Sequence, residues 1–317
     1  MAKYIVRRIV LSILTFFCIT IIVFFISYLA PGSSLDYILA NSNMSPEEIE
    51  LRASQLGLNQ PVYKQYLTWL KEFFKGNLGI SLREYRSVTE MIGERFGNTL
   101  LLTFSSLLIA YFIAIPIGIH SSRKPYSIGD FFSATAALVS MALPGFFIGM
   151  FMIWIFSAKL GWLPMGGMYS SSAEHSIIDL LKHMAMPVTC LALQQLGNVM
   201  RQMRSSMLEV LSEDYVRTAR ATGLSEIKTV YIHALRNAMG TIVTLFGTSL
   251  PFLVGGAVVT EQVFSWPGIG SLMVTSITTR DYPVIIGITV VVATTVLLGN
   301  LLVDITYGIL DPKVKYD

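Results

Sequence analysis

Six long apolar runs constrain this chain more than any other feature of its sequence. They lie at about 9–29, 98–119, 131–157, 184–200, 238–264 and 283–303. An α-helix rises about 1.5 Å per residue, so about 20 residues cross a hydrocarbon core of about 30 Å. Only 14% of the 317 residues are charged, whereas a soluble domain usually has about 25%. The sequence therefore predicts an all-α, polytopic membrane protein with six transmembrane helices.

The distribution of basic residues predicts how these helices are oriented. Thirteen lysines and arginines flank the apolar runs on one side, and six of them lie in 201–236. The short loops on the other side have three: Lys159, Lys182 and Arg280. Cytoplasmic loops of membrane proteins are enriched in basic residues. The interval 211–237 and both termini are therefore predicted to be cytoplasmic, and the net charge of +3 requires no nucleic acid.

Residues 1–30 are predicted to form a first transmembrane helix with a cytoplasmic N-terminus. Three basic residues precede its apolar run: Lys3, Arg7 and Arg8. A cleaved signal peptide is the alternative interpretation. The apolar part of a signal peptide is usually only about 7–15 residues long, which is shorter than this run.

Residues 31–97 form the one large polar segment of the chain and are interpreted as a small helical insertion on the extracytoplasmic face, between helices one and two. The segment has a capping box at 45–48 and an amphipathic pattern from Pro61 to about Gly76. A substrate-binding domain is the alternative, but no pocket-forming pattern supports it.

The longest polar interval in the second half of the chain, 211–237, has the pattern of two short helices. Ser212 is predicted to cap the first helix, and Gly223 to end it in a left-handed conformation. Ser225 is predicted to cap the second. The apolar stripe of that second helix consists of Ile227, Val230, Tyr231, Ala234 and Leu235. A helix of about ten residues does not persist alone in water, so the first one is expected to dock. A socket on a partner protein and an ordinary cytoplasmic loop are the two interpretations.

Two segments of this interval closely resemble the coupling loop of ABC importer permeases, in the oligopeptide/dipeptide/nickel branch. They are EDYVRTARATGL at 213–224 and HALRNA at 233–238. Ala219, Gly223 and Leu235 keep the register of the general importer pattern. The residues that depart from it, as is typical of this branch, are Arg217, Thr218, His233 and Arg236. Further segments that resemble the family lie at 3–10, 29–32, 56–70, 76–81, 160–164, 255–270, 280–283 and 301–312.

The resemblance implies the type I ABC importer permease fold and identifies the first (B-type) permease subunit of a binding-protein-dependent transport system. It implies a permease core of five helices at 98–310, which includes the coupling loop 211–237, and a cytoplasmic tail at 311–317. The implied partners are a second homologous permease subunit in a heterodimer, two ABC ATPase subunits, an extracytoplasmic binding protein and the lipid bilayer of a bacterial or archaeal cell membrane. No nucleic acid is among them.

The implied function is uptake of dipeptides or oligopeptides, with nickel or a metal chelate as the alternative cargo. This chain lacks a Gly-rich phosphate loop, so it is not expected to be an enzyme or to hold a cofactor. ATP and Mg would instead be bound by the ATPase subunits. No catalytic or metal site is predicted, since the four histidines are scattered and Cys18 and Cys190 lie in separate apolar runs. The residues that the resemblance assigns to ATPase coupling are Glu213, Asp214, Tyr215, Arg217, Ala219, Arg220, Gly223, Leu224, His233, Leu235, Arg236 and Asn237.

Polar and helix-breaking residues inside the apolar runs are candidates for the translocation path or for hinges. They are Pro144, Gln194, Gln195, Asn198, Pro251, Gly255 and Gly256. Proline removes a helix hydrogen bond, and glycine lets neighbouring backbones approach. Ordinary helix packing is the alternative explanation for them.

Three other classes of function are alternatives to the importer. A purely structural or receptor role leaves the coupling loop unexplained. An intramembrane enzyme would need convergent catalytic groups at membrane depth, but all four histidines lie at or outside the ends of the predicted spans. An ion-coupled secondary transporter needs an ionisable residue inside the membrane. Asp304, near the inner end of the last run, is the best candidate for that role.

Overall fold

The computed structural model describes residues 2–29, 59–170, 176–249, 252–255 and 257–310. Within these ranges the chain is almost entirely helical, and its only β-pairing is an isolated antiparallel bridge between Ile80 and Ser87. The predicted all-α class is confirmed. The predicted capping box at 45–48, Pro251, Gly256 and the tail 311–317 lie outside the described residues.

Thirteen α-helical segments follow one another in the described ranges. They are α1 (Ala2–Leu29), α2 (Val62–Phe74), α3 (Val88–Arg123), α4 (Ile128–Ala142), α5 (Gly145–Met152), α6 (Ile177–Leu211), α7 (Asp214–Ala221), α8 (Glu226–Lys228), α9 (Leu235–Ser249), α10 (Phe252–Gly255), α11 (Val258–Val263), α12 (Ile269–Thr279) and α13 (Tyr282–Leu310). Two π-helical turns, Ile153–Lys159 and Thr229–Ala234, continue α5 and precede α9.

Four of these helices are long and apolar enough to cross a membrane by themselves: α1, α3, α6 and α13. A fifth span results if α4 and the segment Gly145–Lys159, bent by 100° at a short break, are taken together. The predicted run 238–264 is not one helix in the described residues, because it is divided among α9, α10 and α11. The number of six spans stays a prediction.

The fourth predicted span is much longer in the structure than its hydropathy indicates. The apolar run ends near residue 200, but α6 has 35 residues and continues to Leu211. Its last eleven residues contain neither glycine nor proline and include several good helix formers, so nothing ends the helix there. Hydropathy detects only the apolar part of such a helix.

The chain divides into two compact units, 1–99 with 267–317, and 100–266. In the first unit α1 packs along α13, where Phe24, Ile286 and Val290 are buried together. The amphipathic helix α2 places Tyr66 and Trp69 against the same cluster. The amphipathic pattern predicted after Pro61 is therefore present, and it covers α1.

Asp304, the residue considered for ion coupling, forms an ion pair within the first unit. Its Oδ2 lies 3.1 Å from Nη1 of Arg8 on α1. A carboxylate that neutralises an arginine of a neighbouring helix has a structural explanation. The geometry therefore gives no support to an ion-coupled transporter.

A buried carboxylate also joins the polar segment to the last helix of the first unit. Asp281, which is 3% exposed, accepts hydrogen bonds from the Ser81 hydroxyl at 2.5 Å and from the backbone N–H of Leu82 at 3.1 Å. Arg280 before it is left-handed, with φ 58°. The two family-like segments 76–81 and 280–283 are thus held together by one side chain.

We predict that Asp281→Asn destabilises this unit by about 2 kcal/mol, because the amide loses the charge that strengthens both bonds and can turn an N–H toward a donor. A lower melting temperature of the purified protein, with faster proteolysis near residues 81–87, would be measured. Glu84→Gln is the matched control, since the Glu84 side chain is 47% exposed. Equal melting temperatures for the two variants would contradict the prediction.

In the second unit, small residues allow α6 to approach its neighbours closely. A Cβ added at Gly118 on α3 would lie 2.7 Å from the Met203 Cβ and 2.9 Å from the Met200 carbonyl oxygen. A Cβ added at Gly197 on α6 would collide with the Ala137 carbonyl oxygen and the Ser140 hydroxyl of α4. Small residues at helix crossings are typical of membrane helix packing. The helix α6 is therefore the centre of this unit.

Candidate coupling site

The interval 211–237 leaves the end of α6, forms α7 and returns through α8 and the second π-helical turn into α9. Glu213, with φ −68° and ψ 148°, is the N-cap of α7, and Asp214 lies in its first turn. The predicted cap at Ser212 is wrong. Ser212 instead ends α6 with helical angles, and its hydroxyl donates to the Glu209 carbonyl at 2.7 Å. The cause is the length of α6: because this helix continues to Leu211, Ser212 is its C-cap and is not available to cap α7.

A single buried apolar side chain anchors α7 to the rest of the second unit. Val216 is 0% exposed and packs in a cluster with Met207 of α6 and with Val230 and Ala234 of the returning segment. Burying a valine side chain contributes about 1.5–3 kcal/mol. This contact is what holds an eight-residue helix that would not persist alone.

Two polar contacts fix the orientation of α7 around this anchor. The Asn237 side-chain amide donates to the Tyr215 hydroxyl at 2.6 Å. Arg220 donates two hydrogen bonds to the Glu226 carboxylate, at 3.1 and 2.9 Å. These bonds hold the pKa of Glu226 below its usual value, against the opposing effect of desolvation. Arg220 therefore has a partner within the chain, which the sequence did not predict.

The remaining surface of α7 is exposed and basic. The Arg217 side chain is 70% exposed and has only a long contact of 3.5 Å with Asp214. Thr218 is exposed and Ala219 is half-buried. A bidentate arginine pair is geometrically specific, whereas an exposed single contact contributes little. Arg217 is thus the basic side chain of α7 that is most available to a carboxylate on another protein.

Gly223 ends α7 in the left-handed conformation that was predicted, with φ +86°. Its N–H donates to the Arg220 carbonyl at 3.0 Å, and the N–H of Leu224 donates to the Ala219 carbonyl at 3.3 Å. Within the described chain, a Cβ at Gly223 would meet no atom closer than 4 Å. The glycine is therefore required by the backbone angle and not by crowding.

The returning segment differs from the predicted amphipathic helix. Ser225 occupies the N-cap position, but among the described residues its side chain makes no capping hydrogen bond. Ile227 and Tyr231 are 64% and 45% exposed, so the predicted stripe is wrong at these two positions. The buried positions are Thr229, Val230, Ala234, Ala238 and Ile242. The π-helical turn shifts the register, so that every fourth residue from Val230 is buried.

The other predicted coupling residues lie on the outer side of this segment. His233 and Arg236 are exposed, Leu235 is half-buried, and Leu224 is 37% exposed. The exposed side chains of residues 213–224 and 233–237 are together called the coupling surface below.

Of the candidate path residues, the five that the structure describes are not brought together into one site: Pro144, Gln194, Gln195, Asn198 and Gly255. Pro144 is the N-cap of α5 and lies at the 100° bend after α4, so the predicted interruption is present. Gln194 lies against this bend, since a Cβ at Gly145 would meet its Nε2 at 2.5 Å. Gln195 and Asn198 are half-buried on α6, and Gly255 is exposed at the end of α10. This position of Gln194 gives it a packing role at the bend.

An ion pair that was not predicted from the sequence joins α4 to α6, two turns before the coupling surface begins. Asp130 of α4 is 4% exposed and receives two hydrogen bonds from Arg204 of α6, at 2.6 and 2.7 Å. It also accepts from the Ser121 hydroxyl and from the Tyr126 N–H at 2.8 Å. Buried charges need a partner. An aspartate at the edge of an apolar run was the available signal, because its position requires a cation nearby.

Comparison with protein families gives two matches that together cover nearly the whole chain. Residues 114–316 match the family model described as binding-protein-dependent transport system inner membrane component. Residues 1–103 match the model of the N-terminal part of a binding-protein-dependent transport system membrane component.

Several curated proteins are similar over their full length. The oligopeptide transport system permease protein AppB of Bacillus subtilis is 41% identical, with all of both chains covered. The dipeptide transport system permease protein DppB of Escherichia coli is 35% identical over 100% of this chain and 99% of its own. The glutathione transport system permease protein GsiC of Shigella flexneri is 37% identical, again over both whole chains.

One solved structure, of inward-facing conformations of the MetNI methionine ABC transporter, is similar in fold. The TM-score is 0.51 at 17% sequence identity, with 67% of this chain and 94% of that chain covered. At this identity the likeness concerns the fold alone.

Proposed function

Because the chain belongs to the family of binding-protein-dependent transport system inner membrane components, as an ABC importer permease of the peptide family, we propose that it forms the membrane path for short peptides. It is a transport subunit and not an enzyme, as its relatives are. The proposed cargo is a dipeptide or oligopeptide, because the relatives quoted above are named for oligopeptide, dipeptide and glutathione transport. None of these three names supports the nickel alternative.

The observation that carries the proposed mechanism is the rigid attachment of α7. It is fixed by Val216, by the pair of Tyr215 and Asn237, and by the pair of Arg220 and Glu226. Its outer side remains exposed. A short helix held in this way can transmit a displacement, whereas a loop attached at its ends alone would absorb it.

In this mechanism ATP-driven closure of the ATPase subunits moves α7, and α6 and α9 pass the movement on. The two helices flank the coupling surface, and α6 is about 50 Å long at about 1.5 Å per residue. The bend at Pro144 packs against Gln194 of α6, so a movement of α6 reaches α4 and α5. ATP and Mg act on the ATPase subunits, and this chain supplies no residue to hydrolysis.

ABC importer permeases of this family work with ATPases and a binding protein. For this chain we further propose a heterodimer with a second homologous permease, cytoplasmic termini and a cytoplasmic coupling surface, in a bacterial or archaeal cell membrane. The excess of basic residues at 201–236 supports this orientation.

The proposed cargo is tested by uptake in cells from which the chain is deleted and then restored. A labelled short peptide and radioactive nickel are measured side by side. We expect peptide uptake to be lost on deletion and recovered on restoration, with nickel uptake unchanged. Dependence of nickel uptake alone would overturn the cargo but leave the coupling mechanism standing.

A further inference from the structure

A cavity in the second unit has the polarity of a lipid-binding groove. Its volume is about 230 Å³, and α3, α4 and α6 line it. The polar groups Ser121, Ser133, Arg201 and Arg204 lie at the end near the turn from α3 to α4. Apolar side chains that include Leu138 and Met141 lie one to three turns farther along the helices. Polarity therefore changes along the helix direction, as it does from the surface of a bilayer to its core.

The charge at the polar end is complementary to one anion. Arg204 is neutralised by Asp130, whereas Arg201 is exposed and has no carboxylate partner within the described part of the chain. Arg201 and Arg204 are three residues apart on α6 and share one side of the helix. An arginine has five N–H groups, and Arg204 uses two of them on Asp130. The remaining N–H groups of both arginines can bind a phosphate, and the net charge of the three residues is +1.

We propose that this groove binds one anionic phospholipid, with its phosphate at Arg201 and Arg204 and part of one acyl chain against Leu138 and Met141. The cavity is smaller than the roughly 300 Å³ at which pockets begin to enclose a whole ligand, so the rest of the lipid stays in the bilayer. Basic pockets between membrane helices on the cytoplasmic side are known to bind anionic headgroups. The assignment to the cytoplasmic leaflet rests on the orientation in the proposed function.

Asp130 and Arg204 connect this site with the coupling surface. Arg204 is two turns before the end of α6, and α7 follows directly. A phosphate bound at Arg201 and Arg204 would stabilise one position of α6 relative to α4, because Asp130 lies on α4. The lipid would thus support the same helix that transmits the movement of α7.

The test measures how many phosphatidylglycerol molecules remain on the assembled importer, by native mass spectrometry after extraction from membranes of phosphatidylcholine and phosphatidylglycerol. Arg201→Gln is expected to lower retention about fivefold, since one arginine near the membrane surface contributes about 1 kcal/mol. Leu138→Trp, which fills the apolar end, should lower it similarly. Arg123→Gln is the matched control, because Arg123 is an exposed arginine at the end of α3 outside the cavity lining.

The proposal is overturned if all three variants retain as much phosphatidylglycerol as the unsubstituted importer. It is also overturned if Arg201→Gln and Arg123→Gln lose phosphatidylglycerol to the same extent. Loss of permease pairing in Leu138→Trp with unchanged retention in Arg201→Gln would assign the groove to the second permease, which also overturns it. Arg201 is exposed, so its replacement does not threaten folding. The measurement needs neither cargo nor ATP, so a failed peptide-uptake test would leave the lipid result interpretable.

Discussion

Gly223→Pro is expected to abolish peptide uptake while the chain still inserts into the membrane. Gly223 has φ +86°, whereas proline is limited to about −65°. Proline also removes the N–H that donates to the Arg220 carbonyl at 3.0 Å. The end of α7 would have to unwind, and its fixed position on α6 and α9 would be lost. Uptake of labelled peptide and the amount of chain in the membrane fraction are the two measurements.

Gly223→Asn is the matched variant at the same position, because asparagine tolerates the left-handed conformation better than other side chains. Its Cβ would meet no described atom within 4 Å, so we expect it to keep most of the uptake. Ala219→Trp, which enlarges the coupling surface without changing the backbone angle, is expected to abolish uptake. Normal transport by Gly223→Pro would contradict the coupling mechanism.

Asp130→Ala is expected to destabilise the second unit by about 3 kcal/mol. Removal of one partner from a buried ion pair leaves the other charge without compensation. The resulting loss of folding stability is therefore larger than the net stabilisation that the pair contributes. The Arg204 side chain is 30% exposed, so part of its charge can be solvated and the lower end of the known range applies. The hydroxyl of Ser121 and the N–H of Tyr126 also lose their acceptor. The melting temperature of the purified protein measures the effect.

The double variant Asp130→Ala with Arg204→Met separates the pair from general damage to packing. Replacement of both charges by apolar side chains is often neutral or nearly so, so the double variant should be more stable than Asp130→Ala alone. If the two single losses simply add in the double variant, the energetic role given to this pair is wrong.

The candidate coupling site could be predicted from the sequence only in part. Features that depend on neighbouring residues were predicted, and features that depend on distant ones were not. Gly223 was predictable because its left-handed angle depends on the local chain. The cap at Ser212 was predicted wrongly because hydropathy detects only the apolar part of α6, which continues to Leu211. The stripe with Ile227 and Tyr231 was predicted wrongly because the π-helical turn depends on packing against other helices. Val216 has no distinctive sequence signal. It is the anchor only because Met207, Val230 and Ala234 surround it.

By itself, the sequence determined that this is an all-α, multi-pass membrane protein of the ABC importer permease family. Both conclusions depend on consecutive residues alone. The membrane class follows from the length of each apolar run compared with the thickness of a bilayer, and the family follows from the order of residues in its motifs. Only the tertiary structure decided that Asp304 pairs with Arg8, that Asp281 holds Ser81 and that Asp130 binds Arg204. These partners are between 74 and 296 residues apart. For Asp130 and Asp281, which are buried, the cost of leaving a charge unpaired selects such contacts. Which residues meet depends on how the helices cross.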